Sequence, residues 1–249
     1  MSARRRHGGR NALLLVAALF ALWQAMYWTV GDTALSSPLG TLRYTAHLIT
    51  GEDFRMHLFD TMRAFAIAFV LSVVIGLLVG FWLGFDRLSG DALEPMIVTV
   101  YAIPKLTLYP ILLLAFGLGL SAKVAFGVLH GTIPIILFTL GAVRNTRPIL
   151  LKTGHVLKLS RPQMVRWILF PAAIPEIFTG LRVGFSLTLI GSLLAEMFAS
   201  QRGLGYLLMN GIGLHNIELV MSVTLLIVVF AAAVSTLLLQ VDRRLHRQV

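Results

Sequence analysis

Apolar stretches of membrane-spanning length recur along this chain, and nothing else constrains its fold as strongly. They cover roughly 12–30, 62–85, 96–118, 122–143, 177–197 and 218–240. A helix needs about 20 apolar residues to cross the hydrocarbon core. Backbone polar groups in lipid must be satisfied within their own segment, so the expectation is six transmembrane α-helices. Only 13% of the residues are charged and 57% are hydrophobic, which excludes an ordinary soluble domain. A net charge of +10 first suggests nucleic acid. The basic residues instead gather at the ends of apolar runs, the pattern of cytoplasmic loops, so no nucleic-acid partner is expected.

The longest interruption, 144–182, decides the orientation. Arg144, Arg147, Lys152, Lys158, Arg161 and Arg166 fall within it, and no acid precedes Glu176. With that segment and both termini inside, fourteen Lys/Arg lie on the inner side and four on the outer, Arg43, Arg55, Lys123 and Arg202. Five or seven spans would strand one basic terminus outside. Arg63, Lys105 and Arg182 fall near span ends, where snorkelling to the interface is the default. The run 12–30 follows Arg4, Arg5, Arg6 and Arg10, is long for a signal sequence and lacks a small-x-small cleavage site, so it is expected to be a retained first span.

The spans differ in character. Gly76, Gly80 and Gly84 recur every four residues, a spacing that lets another helix approach closely. Residues 86–95 suggest a short turn. Pro104 and Pro110 flank Lys105 in the third run, and Pro134 interrupts the fourth. Interior proline kinks a helix, so both middle spans are expected to be broken and to face protein or a water-filled pathway, with ordinary kinks as the alternative. His130 is a candidate solute contact, against a simple hydrogen bond to helix backbone. Glu196 near the end of the fifth run is a candidate pathway or gating acid, against a cap for the turn at 200–203. Lys105 either raises the potential of an anion path or anchors its span.

Within the basic segment, Pro148 starts a short amphipathic helix. Lys152, His155 and Lys158 share one face of it, and further helical turns follow in RPQMVRWILF. Pro171 and Pro175 are expected to break the path before span 5. Cysteine is absent, the seven histidines form no metal-ligand pattern, and no hydrolase triad is visible. No G-x-x-x-x-G-K-[ST] phosphate loop occurs, so the chain is not expected to be an enzyme or to hold a nucleotide, metal or cofactor.

The run ILFPAAIPEIFTGLRVGFSLTLIGSLLAEM, with AEM at 195–197, GLG at 203–205 and YAIPKLTLYPILLLAFGLG at 101–119, resembles the inner-membrane permeases of ATP-binding-cassette importers. The similarity is to the nitrate/sulfonate/taurine branch and extends over roughly 57–245, with His57, Thr61 and Arg63 at the polar start of the second span. It implies an all-α, type I importer-like permease. Residues 1–56 would form a tail, first span and interfacial segment, 57–245 the core, and 246–249 a cytoplasmic tail. It implies a bacterial inner-membrane protein working as a homodimer with an ATPase dimer, which carries the ATP and Mg, and an external or periplasmic solute-binding protein. It implies that a coupling helix docks on the ATPase, here Thr153, Gly154, His155, Val156, Leu157, Lys158, Leu159, Ser160, Arg161 and Gln163. The family's cytoplasmic signature opens with Glu-Ala-Ala and has a glycine six residues later. Here those positions are Lys152, Thr153, Gly154 and Lys158, so a negative charge has become positive. The competing readings are an ion-coupled secondary carrier and a non-transporting membrane scaffold.

Overall fold

A computed structural model describes the backbone of residues 3–245, and every element in it is helical. In order they are α1 (Ala3–Val30), α2 (Pro38–Thr50), α3 (Glu52–Phe85), α4 (Arg87–Ala102), a 3-10 turn (Lys105–Leu108), α5 (Tyr109–Phe116), α6 (Leu120–Arg144), α7 (Pro148–Val156), α8 (Arg161–Met164), a π-helical turn (Val165–Leu169), α9 (Phe170–Ala199), α10 (Leu204–Gly213) and α11 (Ile217–Leu245). The tail 246–249 and the side chains of Arg4, Arg5, Arg6, Arg10 and Arg161 lie outside the described residues.

Four helical rods are long and apolar enough to cross a membrane: Glu52–Phe85, Leu120–Arg144, Pro162–Ala199 and Ile217–Arg244. A fifth crossing is available if α4 and the 3-10–α5 piece, bent by 89°, are taken together. The described apolar part of α1, Leu14–Val30, is shorter. This is an all-α, multi-pass membrane fold with four to five clear spans rather than a clear six.

The bundle is built around α6, which packs between α3 and α9. A Cβ at Gly76 would lie 2.6 Å from Ile135 Cγ2, and one at Gly84 would lie 2.7 Å from Val143 Cβ. The close approach implied by the four-residue spacing is therefore made onto α6. On its other face, Gly180 and Gly184 of α9 admit Phe138 and Ile135 in the same way. Helices in lipid gain little from burying apolar area against one another, so shape fit of this kind holds them together. The outer faces of α1, α3 and α11 keep Leu19, Val70, Leu78, Val228 and Leu237 exposed, as a lipid-facing surface requires.

Proline acts differently from the expectation. Pro134 is buried inside an unbroken α6. Pro171 falls where the π-helical turn passes into α9, inside the continuous rod Pro162–Ala199. Pro175 is interior, yet the rod Pro162–Ala199 continues through it. Pro110 starts α5. Only the Pro104 region marks a real break, and Lys105 lies at that bend, opening the 3-10 turn that follows α4. Residues 86–95 are not a turn: Asp86 caps α4, accepting from Leu88 N–H at 3.3 Å, and the helix begins there.

Ion pairs tie the bundle together at both ends. At the end that leads into α7, Arg144 reaches Asp91 (2.9 Å) and Glu94 (3.1 Å), joining α6 to α4. There too Arg182 lies 3.8 Å from Asp242, whose other oxygen accepts from Thr179 at 3.1 Å, so Arg182 pairs across to α11 instead of snorkelling.

Candidate functional site

The basic elbow is a compact motif with two well-made ends. Pro148 occupies the first turn of α7. At its other end, Leu159 N–H donates to Gly154 C=O and Lys158 N–H to His155 C=O, both at 3.0 Å. Those two bonds define a Schellman stop. Its turning residue is Lys158, with φ of 51° in the left-handed region. Lys158 therefore leaves the helix and does not share a face with Lys152 and His155. Ser160 then opens α8, its N–H and Oγ both donating to Gln163 Oε1 at 2.9 Å. Thr153 Oγ1 and His155 Nδ1 bond back to the carbonyls of Ile149 and Leu151. Gly154 is buried because a Cβ there would collide with the end of Met164, which packs α7 down onto the following turns.

Beside exposed Lys152, His155 and Lys158, this leaves apolar side chains outward. Val156 is 80% and Leu157 64% exposed, with Trp167 also out, while Leu159 is half-buried. Glycine is the natural residue where Lys158 stands, since a left-handed L-residue costs about 1–2 kcal/mol. Lys158→Gly should therefore stabilise the elbow by about 1 kcal/mol, measured as slower amide exchange across α7. Unchanged exchange would show that Lys158 is not strained.

At the opposite end, four elements converge on one buried cluster. Glu196 of α9 is fully buried. Thr61 Oγ1 of α3 donates to its carboxylate, at 2.8 and 3.0 Å from the two oxygens. Lys123 of α6, only 2% exposed, places its ammonium 2.7 Å from Asp60 Oδ2, 2.7 Å from Arg202 C=O and 3.4 Å from Glu196 Oε1. All three ammonium protons thus find an acceptor.

The same residues receive the start of α10. Gly203 N–H donates to His57 Nδ1 (3.0 Å), Leu204 N–H to Thr61 Oγ1 (2.8 Å) and Gly205 N–H to Glu196 Oε2 (3.0 Å). A helix leaves its first N–H groups without intrahelical partners, and here side chains from α3 and α9 take three amides in succession. Gly203 has φ of 118°, and a Cβ there would collide with the Glu196 carboxylate. The AEM, GLG and His57–Thr61 pieces of the sequence are thus parts of one joint. Chemically it offers a neutralised carboxylate and no nucleophile; its geometry pins α3, α6, α9 and α10 together.

The other residues singled out from sequence do not join it. Lys105 donates to Tyr101 C=O at 3.0 Å and lies over that ring at 4.5 Å. His130 Nδ1 is 2.9 Å from Phe126 C=O, within its own helix. Pro104 and Pro110 are exposed, whereas Pro134 is buried against neighbouring helices. Sequence reasoning missed Lys123 as the partner of Glu196, and Asp60 as the second acid on that lysine. The available signal was a lysine inside an apolar helix, which demands an acid nearby.

The fold and the two ends describe a multi-pass membrane permease with a projecting apolar elbow. Residues 72–249 match the family described as "Binding-protein-dependent transport system inner membrane component", and the chain belongs to that family. It is a permease subunit of an ATP-binding-cassette importer, related to the sulfonate-type branch. It is 26% identical over 209 residues to a putative aliphatic sulfonates transport permease of Bacillus subtilis (83% of this chain, 76% of that one). It is 33% identical over 205 residues to the riboflavin transport system permease RibX of Chloroflexus aurantiacus (81% and 76%). Its fold is similar to a chain of the MetNI methionine ABC transporter in an inward-facing conformation, with TM-score 0.66, 18% identity, and coverage of 79% of this chain and 99% of that one.

Proposed function

We propose that this permease passes a small anionic solute inward by alternating access, as one of two identical copies around a two-fold axis. The supporting observation is the exposed apolar tip of α7, Val156 and Leu157, held by a rigid stop at the basic end of the bundle. Exposed leucine and valine on a cytoplasmic elbow fit a hydrophobic groove on an ATPase pair. Thr153 to Gln163 form the docking segment, and Lys152 and Lys158 make its surroundings cationic, so the matching groove carries acid.

In this reading α1 and the bent α4–α5 complete six crossings, both termini are cytoplasmic in a bacterial inner membrane, and the Glu196 end faces outward to a solute-binding protein. The relative described as a sulfonate permease supports an anionic solute. Closure of the ATPase pair pushes α7, and the push travels through α6 and α9, between which it is strung. Pro104, Lys105, Pro110, His130 and Pro134 are the candidates for pathway or gating roles. An ion-coupled carrier needs an acid free to titrate, and Glu196 is already engaged by Lys123, Thr61 and the Gly205 amide.

Leu157→Asp tests the docking. Losing a buried leucine costs about 1.5–3 kcal/mol, which corresponds to a fall of roughly tenfold or more in ATPase affinity. Co-purification and ATP-driven uptake in vesicles should both drop while the permease remains folded. Unchanged ATPase retention and uptake would sink the assignment of the elbow.

A further inference from the structure

Beside the Glu196 joint, but on its far side, a cleft of about 300 Å³ opens between α3 and α11. Phe54, Leu58 and Met62 of α3 form one wall, Leu226 and Phe230 of α11 the other, and Leu193 of α9 the floor. Thr61 is the single polar residue along it. Its hydroxyl is already spent, donating to Glu196 and accepting from Leu204 N–H. A polar solute entering this cleft would find no hydrogen-bond partner, and ordered water needs two to four polar partners.

We propose that the cleft is a binding site for one acyl chain of a membrane phospholipid, from the leaflet on the Glu196 side. The same helices also expose apolar side chains to the outside, Phe59 on α3 and Val228 on α11, and Val229 of the lining is itself exposed. That surface meets lipid tails, so the occupant is supplied by the surroundings. The cleft runs from the first three turns of α3 to the third and fourth turns of α11, a length of apolar wall suited to the upper part of an acyl chain. Left empty, its lining would forfeit dispersion contacts along its length. A tail that fills it also backs Thr61 and Leu204, which line the cleft on one side and hold the start of α10 on the other. The bound lipid thereby supports the joint.

The test compares lipid retained by the purified permease–ATPase complex after extensive detergent exchange, measured by mass spectrometry of the extract. Leu226→Trp fills the cleft with an indole, and Leu114→Trp, on a fully outward position of α5, is the control. Wild type and Leu114→Trp should retain a tightly held phospholipid that Leu226→Trp has lost. A second measurement guards against a misfolded variant: a phospholipid with a diazirine in its acyl chain should label wild-type peptides containing Met62 and Leu226. Equal retention in all three proteins, or labelling confined to other helices, overturns the proposal. Dissociation of the two permease copies by Leu226→Trp also overturns it, because the cleft would then be a seam between copies.

Discussion

Lys123→Met should cost the permease about 3–5 kcal/mol of stability, the scale for removing one partner of a buried ion pair. The side chains of Lys123 and Glu196 are 3% and 0% exposed, so neither charge has water to fall back on. Methionine preserves the length and apolar stem of lysine while deleting the ammonium. Three acceptors then lose their donor: Asp60, Arg202 C=O and Glu196. Asp60, at 30% exposure, can turn to solvent, but Glu196 cannot. Its carboxylate is left with hydroxyl and amide donors alone. Chemical unfolding in detergent should register the loss, and protease should cut sooner in the 200–205 loop. Adding Glu196→Gln should recover much of it, since a neutral amide still accepts from Gly205 N–H and leaves no buried charge. The double-mutant cycle isolates the pair. A single-mutant loss below about 1 kcal/mol, the range of exposed pairs, would mean that the cluster is hydrated and not the joint described here.

The parts of this architecture visible in sequence are those set by one-dimensional rules. Hydrocarbon thickness dictates run length, and α3, α6, α9 and α11 follow from it directly. Helical periodicity makes Gly76, Gly80 and Gly84 a stripe whatever they face. Helix-start chemistry is equally local, so Pro148 marks the beginning of the elbow helix correctly. The Glu196 joint is of another kind. Thr61 and Glu196 are 135 positions apart and Lys123 is 73 from Glu196, and no periodicity links them. Lys123 counted as one more loop cation because a charge tally is blind to burial. Arg182 was assigned to the interface for the same reason, with its partner Asp242 on another helix. Proline misled in the opposite direction. Its local cost is real, but neighbouring helices in a packed bundle can absorb it, and α6 and α9 run on through Pro134 and Pro175.

Gly80→Leu should be severely damaging to the membrane core. A Cβ at this position would sit 2.6 Å from Thr139 Cβ and 2.9 Å from Ile136 C=O. The second of these is backbone, so no rotamer change on α6 can make room. Over-packing a core by a few methylenes costs about 1–3 kcal/mol, and here a whole isobutyl group must enter a seam with no space for its first carbon. The helices must part along α3–α6, and Leu83, Ile136 and Leu140, which pack together just beyond, lose contact as well. Helix propensity acts in the other direction, favouring leucine over glycine by up to about 1 kcal/mol, so any loss reports packing alone. Gly213→Ala is the matched control, because nothing lies within 4 Å of a Cβ there. Unfolding in detergent and ATP-driven uptake should both collapse for Gly80→Leu and stay near wild type for Gly213→Ala. Gly80→Ala with Thr139→Gly should recover part of the stability that Gly80→Ala loses, since deleting the Thr139 side chain clears one of the two obstacles. If Gly80→Leu unfolds and transports like wild type, α3 and α6 are not in backbone contact, and the shape-fitted core of this bundle has been misassigned.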